Sequence, residues 1–176
     1  MSAYHTEGEM YGDVGEWLHR FLSARFSKGQ VEVLDTHKSD LNRLISARGL
    51  HGCFESDVWR TYEIRTDITA FLQDGKARGL VFVECKLGSI SLRDLSQLLG
   101  YCRIARPLMA FLVSPVGARG SLRSLVNVYG RTDVLEYDWP KGKMARSIVV
   151  ARWNEASRDL DMTSVLPPGA MGNQPW

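Results

Sequence analysis

The stretch GLVFVECKLGSISLRDLSQLLGY, residues 79–101, decides the expected fold of this chain. A run of four apolar residues near its start predicts a buried strand, yet the strand ends in the charged residues Glu84 and Lys86. Side chains alternate between the faces of a strand, so these two charges project to the same side, together with Phe82. Cys85 projects to the opposite side, where we expect it to pack in the core.

The segment before this strand is predicted to pair with it as a hairpin. Residues 59–72 show the alternating pattern of a strand and are rich in β-branched and aromatic types. The sequence QDGKARG that follows contains Asp-Gly in a polar stretch, which is typical of a turn. A turn over residues 74–77 pairs residues whose numbers sum to 151, which places Asp67 directly opposite Glu84. Other turn lengths shift this register by a residue or two.

Two carboxylates at cross-strand distance predict a bound cation. Like charges that face each other destabilise a sheet, and a divalent cation between Asp67 and Glu84 would offset the repulsion. Mg²⁺ is usually held by one or two carboxylates together with water and phosphate oxygens. Lys86 beside them would orient an attacking water or neutralise developing charge, so the three residues are a minimal apparatus for phosphodiester hydrolysis.

Helix-like and strand-like patterns alternate along the rest of the chain and predict one α/β domain over residues 1–160, with a central mixed sheet flanked by helices. Residues 50–58 are expected to be irregular. Residues 161–176 contain Pro-Pro and little periodicity, which predicts a mobile tail. The predicted helices cover 9–26, 39–49, 89–106 and 121–129, and the predicted strands cover 31–35, 59–72, 79–87, 107–114, 133–139 and 147–153.

Composition narrows the classes of function. The 176 residues are 44% apolar with a formal charge of +2, which is too small to argue for a nucleic-acid partner by itself. The three cysteines have no CxxC spacing and the four histidines no HxxxH spacing, so we expect neither a disulfide framework nor a zinc site. The sequence lacks a signal-peptide pattern, an apolar membrane span and a glycine-rich phosphate-binding motif, which predicts a cytoplasmic protein.

Asp67, followed 17 positions later by Glu84-Cys85-Lys86 on an apolar strand and then by a helix, resembles the signature of the PD-(D/E)XK nuclease superfamily. The resemblance implies a restriction-endonuclease-like core over residues 9–114, with 36–58 as an insertion. Gln97 and Tyr101 fit the QxxxY pattern of the RecB-type branch, although a Holliday-junction-resolvase-like branch is also compatible. Four residues apart, they share one face of the predicted helix.

The resemblance assigns roles to individual residues. Asp67 and Glu84 would ligate Mg²⁺ or Mn²⁺, Lys86 would position the water, and Gln97 and Tyr101 would shape the site. Family members often carry a further metal-binding glutamate on the first helix. Glu16 is the best positional candidate here, and Glu9 is its rival. Thr66 departs from the family pattern, which often has proline before the aspartate.

A nuclease with this signature would act on nucleic acid, DNA more than RNA, and would recognise structure or ends rather than a strict sequence. Arg93, Arg103 and Arg106 on the motif helix, with Arg119 and Arg123 beyond it, are candidates for a phosphate-contacting rim. A homodimer is expected, because a domain of this size needs a second copy to grip a duplex. The pattern does not separate endonuclease from exonuclease. Two alternatives stay open: an exposed Glu84–Lys86 ion pair without function, and a non-catalytic binding or assembly module that keeps the nuclease fold.

Overall fold

The computed structural model describes residues 3–54, 56–74, 77–142 and 144–173, and within them the chain forms a seven-stranded mixed sheet flanked by helices. This confirms the predicted α/β class. The helices are α1 (Glu7–Arg25), α2 (Leu41–Arg48), α3 (Leu92–Ala105), α4 (Gly120–Asn127) and α5 (Ala170–Asn173). The strands are β1 (Gln30–Asp35), β2 (Ile68–Asp74), β3 (Ala77–Cys85), β4 (Met109–Ser114), β5 (Glu136–Asp138), β6 (Arg146–Asn154) and β7 (Asp159–Leu166).

The strand order brings several strand ends to one edge of the sheet. The order is β1-β2-β3-β4-β6-β5, and β7 also pairs with β6. Strands β1, β2 and β3 form an antiparallel meander, and β4 and β6 run parallel to β3. The C-terminal ends of β1, β3, β4 and β6 therefore lie at the same edge as the start of β2. We call this the upper edge, because it is where an α/β sheet places ligands.

An apolar layer covers each face of the sheet. As predicted, successive side chains of β3 point alternately into one layer and the other. Val81, Val83 and Cys85 face the layer built with α1, whereas Leu80 and Phe82 face the layer built with α2, α3 and α4. Cys85 is fully buried, which confirms it as a core residue. Burial of each large apolar side chain contributes about 1.5–3 kcal/mol, so both faces hold β3 firmly in register.

A capping box fixes the start of α3. The Ser91 backbone N–H donates to Asp94 Oδ2 at 2.8 Å, and the Asp94 N–H is 3.4 Å from Ser91 Oγ. The reciprocal pair satisfies two backbone donors that the helix leaves free at its N-terminus. Because α3 begins so soon after β3, its first turns return over the end of that strand.

The segment before β2 differs from the prediction. Residues 59–67 were expected to extend the strand, but they form part of a 3-10 helix, Asp57–Thr61, and an irregular approach to β2. Trp59, Tyr62 and Ile64 are nonetheless buried against α2 and the sheet. Their alternation reflects one-sided burial of an irregular segment, which sequence periodicity does not distinguish from a strand. Residues 36–58, expected to be an insertion, contribute Leu41, Ile45 and Cys53 to the same core.

The C-terminal residues also differ from the prediction of a mobile tail. Strand β7 pairs with β6 in antiparallel register, and Leu160, Val165 and Leu166 are buried. The buried residues of β7 do not alternate along the strand, whose pairing with β6 shifts register near its middle, so the strand was missed. The predicted turn residues 75 and 76, and positions 174–176 of the expected tail, lie outside the described residues. No helix in the described part of the chain is long and apolar enough to span a membrane.

Candidate active site

Asp67 and Glu84 meet at the upper edge. Ile68 pairs with Val83, so the register follows the predicted sum of 151, and Asp67 stands just before β2 opposite Glu84. Asp67 Oδ2 accepts a 2.8 Å hydrogen bond from the backbone N–H of Cys85. The two residues are only 9% and 4% exposed, which is unusual for carboxylates and requires polar partners around them.

Glu84 is only partly satisfied by its neighbours. Its Oε1 lies 3.4 Å from both Lys86 Nζ and Gln97 Nε2, so both donors are at the long end of hydrogen-bond distance. Its Oε2 is buried and has no partner among the described residues. Burial first, and then the negative charge of Asp67, raise the pKa of Glu84 to about 7. A charged, unpaired carboxylate oxygen in a protein interior is costly, and a cation beside Oε2 would relieve that cost.

Tyr11 holds Asp67 from the α1 side. Its hydroxyl donates to Asp67 Oδ1 at 2.7 Å, a short charge-assisted hydrogen bond. Burial and this bond raise the pKa of the Tyr11 hydroxyl far above its ordinary value, so it stays protonated and remains a donor. With the Cys85 N–H on Oδ2, both oxygens of Asp67 are fixed in place, and each keeps a lone pair for another ligand.

Three buried threonines anchor the backbone around Asp67. Thr66 Oγ1 lies 2.8 Å from Thr69 Oγ1, and Thr36 Oγ1 lies 3.0 Å from Thr69 Oγ1 and donates to the Thr66 carbonyl. The Thr36 N–H donates to the Asp67 carbonyl at 2.9 Å. Thr66 stands where the nuclease family often has proline, and here its hydroxyl ties the residue before Asp67 to β1 and β2.

Lys86 lies between two carboxylates. Its Nζ is 3.4 Å from Glu84 Oε1 and 3.7 Å from Glu7 Oε2 on α1, and its side chain is 19% exposed. Burial lowers the pKa of Lys86, but Glu84, Glu7 and Asp67 together outweigh it and raise the pKa above its ordinary value. Lys86 therefore stays charged at neutral pH. Because its side chain is 19% exposed and that of Glu84 only 5%, the pair is not the solvent-exposed strand end of the first alternative.

The α1 residues that reach the site are not the predicted ones. Glu16 is exposed and lines a groove between α1 and β1, and Glu9 accepts a hydrogen bond from the His5 N–H. Glu7 and Tyr11 make the contacts instead, one helical turn apart. Because α1 begins at Glu7 rather than at residue 9, the predicted helix left out the turn that carries Glu7. The i, i+4 spacing of Glu7 and Tyr11 was a usable signal.

The two residues of the QxxxY pattern, Gln97 and Tyr101, lie in different surroundings. Gln97 on α3 donates to Glu84 Oε1 at 3.4 Å, and its role in shaping the site stays a prediction. Tyr101, one turn further along α3, is half-buried and packs against the core on the α3 side of the sheet. The structure thus brings Gln97 to the acidic pair and gives Tyr101 a packing role.

The arginines of the expected rim lie at different edges. Arg93 is in the first turn of α3, close to the upper edge, but Arg103 is ten residues further on, about 15 Å along the helix. Arg106 caps the far end of α3, next to the segment that bonds to the start of β3. Arg119 does lie at the upper edge, where its Nε donates to Ser89 Oγ at 3.3 Å in the loop after β3.

The donor set fits a divalent cation that keeps most of its water. The described residues contain no group of three or more His, Cys, Asp or Glu arranged to hold a metal ion. Asp67 and Glu84 offer two adjacent carboxylates, which is the number that Mg²⁺ commonly uses. The Glu84 Oε2 atom, which has no donor among the described residues, is the observation that favours a cation here, since a bound ion is one of the partners that satisfy such a buried oxygen.

Comparison with protein-family models, with curated proteins and with solved structures finds no match to this chain. No family is therefore assigned to it by likeness. Its chemistry has to be inferred from the acidic pair, its lysine and the residues that hold them.

Proposed function

We propose that this protein is a divalent-metal-dependent nuclease that hydrolyses phosphodiester bonds, with Asp67 and Glu84 as ligands of Mg²⁺ or Mn²⁺. One observation carries the proposal. A buried pair of carboxylates, one with an oxygen that accepts from no donor among the described residues, lies beside a partly buried lysine at the upper edge of the sheet. Active sites commonly use burial and a neighbouring like charge to shift the pKa of a carboxyl group in this way.

Each residue around the acidic pair would have its own role in phosphodiester hydrolysis. A bound divalent cation would supply Lewis-acid chemistry at the phosphate and at an attacking water. Tyr11 and the Cys85 N–H hold Asp67 rigidly, and Gln97 steadies Glu84 from α3. Lys86, kept charged by its neighbours, would hold the water in position or neutralise charge that develops on the phosphate. Preorganisation of this kind costs no rearrangement at the moment of reaction.

We also propose that the core is restriction-endonuclease-like. The order α1, the β1–β3 meander, α3 and β4 supports this, with α2 and two 3-10 helices between β1 and β2 as additions that pack into the core. DNA as the substrate, recognition of structure or ends, and a homodimer belong to the same proposal and rest on the resemblance of the motif.

Cleavage assays test the proposal. The protein is incubated with linear, nicked and branched DNA in Mg²⁺, in Mn²⁺ and in chelator. Wild type should cut at least one substrate in the presence of metal only, and Lys86→Ala should not. Lys28→Ala, which changes an exposed lysine after α1, is the matched control and should cut like wild type. Absence of metal-dependent cleavage on every substrate would reject the proposal.

One observation favours a second candidate, a non-catalytic nucleic-acid-binding or assembly module. Both Asp67 oxygens and Glu84 Oε1 already accept hydrogen bonds from the chain, as in a polar network that only stabilises the fold. This alternative predicts DNA binding that needs no metal and that Glu84→Gln leaves unchanged, without cleavage. The nuclease proposal predicts that Glu84→Gln abolishes cleavage.

A further inference from the structure

A groove between α1 and β1 opens beside the acidic pair. It has a volume of about 530 Å³, and two of its lining residues connect it to Asp67. Tyr11 donates its hydroxyl hydrogen to Asp67 Oδ1 at 2.7 Å, and Ile68 follows Asp67 in the chain. A group that enters the groove therefore lies next to the proposed metal site. Sequence patterns did not predict the groove, because it depends on how α1 packs on the sheet.

The charges that line the groove favour a neutral hydrogen-bond donor over a phosphate. Glu16 on α1 and Asp35 at the end of β1 contribute carboxylates, and both residues are exposed, so their oxygens can accept from a ligand. Among the described residues, no lysine or arginine lines the groove. A cleft lined by charges of one sign concentrates their potential. A phosphate would therefore be repelled, whereas an N–H group would find acceptors.

The remaining lining suits a flat, partly apolar group. Val33 and Ile68 contribute aliphatic side chains, and Tyr11 contributes an aromatic ring. On the α1 wall, Gly12 and Gly15 carry no side chain, which keeps the groove open. A Cβ at Gly12 would meet nothing within 4 Å, and one at Gly15 would make an ordinary 3.8 Å contact with Val33. Packing within the chain therefore requires glycine at neither position, although glycine destabilises a helix interior.

We propose that this groove binds an unpaired nucleobase of the nucleic-acid substrate, one that carries an exocyclic amino group. The inference rests on the proposed nuclease function and deepens it by naming the substrate class, a strand with an unpaired adenine, cytosine or guanine next to the cleaved bond. The base would pack against Val33 and Ile68, and its amino group would donate to Glu16 or Asp35. The phosphate would stay outside the groove, at the acidic pair and Lys86. Thymine has no exocyclic amino group and should bind less tightly.

Binding of DNA with a single bulged nucleotide tests the proposal. The probes are fluorescein-labelled duplexes that differ only at the bulge, which is an adenine, a thymine or an abasic residue. Ca²⁺ replaces Mg²⁺, so that affinity is measured without cleavage. Wild type should bind the adenine bulge about tenfold more tightly than the abasic bulge, as expected when one base gains packing and a hydrogen bond. The Kd for the thymine bulge should lie between the two.

Two leucine substitutions form a matched pair. Gly12→Leu fills the groove and should raise the Kd for the adenine bulge to that for the abasic bulge. Gly100→Leu makes the same change at an exposed glycine inside α3, where a Cβ would also meet nothing within 4 Å, and should keep the preference for adenine. Both variants should bind the abasic bulge like wild type, because neither substitution touches the acidic pair.

Three results would overturn the inference even if cleavage is metal-dependent. Wild type could bind the adenine and abasic bulges with equal Kd values, which would show that the base makes no contact. Gly12→Leu could keep the preference for adenine, which would place the base outside the groove. A thymine bulge bound as tightly as the adenine bulge would show that the carboxylates do not select an amino group. If wild type neither binds nor cuts DNA, the proposed function and this inference both fail.

Discussion

Glu84 is a carboxyl group that the fold holds where its charge is unfavourable. Burial and the neighbouring Asp67 raise its pKa to about 7 from an ordinary value of 4.5. An apolar or amide side chain would be less costly to bury at this position. At the scale of single residues, Glu84 therefore lowers the stability of the metal-free fold, and the proposed cation site accounts for its presence.

The first prediction concerns stability and pH. The folded state binds the Glu84 proton more tightly than the unfolded state, so wild type loses stability as pH rises from 4.5 through 7. Glu84→Gln removes this titration and should stabilise the metal-free protein, more at pH 8 than at pH 5. Urea denaturation in chelator at the two pH values measures the difference. A difference between wild type and Glu84→Gln that is the same at both pH values would contradict the account.

The second prediction concerns Tyr11 as a positioning residue. Tyr11→Phe removes the hydroxyl that holds Asp67 and should weaken Mn²⁺ binding, measured by calorimetry, together with some loss of stability. Tyr4→Phe is a matched control, because the Tyr4 hydroxyl makes a 2.7 Å hydrogen bond of the same kind to Asp13 away from the site. The control should lose stability but bind Mn²⁺ like wild type. Equal Mn²⁺ affinities in both variants would show that Tyr11 has only a structural role.

At the scale of elements, local chemistry made β3 and α3 predictable. The alternation of β3 and the capping box at Ser91 depend on residues that are close together in sequence. So does the register of the β2–β3 hairpin, in which paired residue numbers sum to 151, and this register placed Glu84 opposite Asp67. What was missed depends on distant contacts. Glu7 and Tyr11 reach the site because α1 packs across the sheet. Sequence periodicity carries no information about this packing.

The threonine cluster gives a prediction at this scale. Thr69→Val keeps the side-chain volume but removes a hydroxyl that lies within 3.0 Å of both Thr36 Oγ1 and Thr66 Oγ1. The variant should lose about 1–3 kcal/mol of unfolding free energy, since buried hydroxyls lose a partner. Urea denaturation measures the loss, with Thr132→Val at an exposed position as the control. A Thr69→Val protein as stable as wild type would mean that the cluster does not anchor the start of β2.

At the scale of the whole molecule, the parallel arrangement of β3, β4 and β6 gathers the polar ends of distant segments at the upper edge. Asp67, just before β2, and Glu84, on β3, lie at that edge. Arg93 and Arg119 lie at the same edge, at the starts of the helices that follow β3 and β4. Arg103 and Arg106 lie at the opposite edge. The arginines that contact a nucleic acid would therefore show which edge of the sheet faces it.

The corresponding prediction compares two arginines. Arg119→Gln at the upper edge should weaken DNA binding and reduce the dependence of log Kd on log salt by about one unit, as loss of one phosphate contact does. Arg103→Gln changes an exposed arginine at the far end of α3 and should leave both quantities unchanged. Fluorescence anisotropy over a range of salt concentrations measures both. A larger effect from Arg103→Gln would place the substrate at the wrong edge for the proposed site.

Crystallography of the protein with Mn²⁺, using the anomalous signal of the metal, shows whether Asp67 and Glu84 share a cation. We expect an anomalous peak within about 2.5 Å of a carboxylate oxygen of both Asp67 and Glu84, with Glu84 Oε2 turned towards it. The peak should be lost in Glu84→Gln crystals. A wild-type crystal at saturating Mn²⁺ with no peak between the two carboxylates would contradict this expectation.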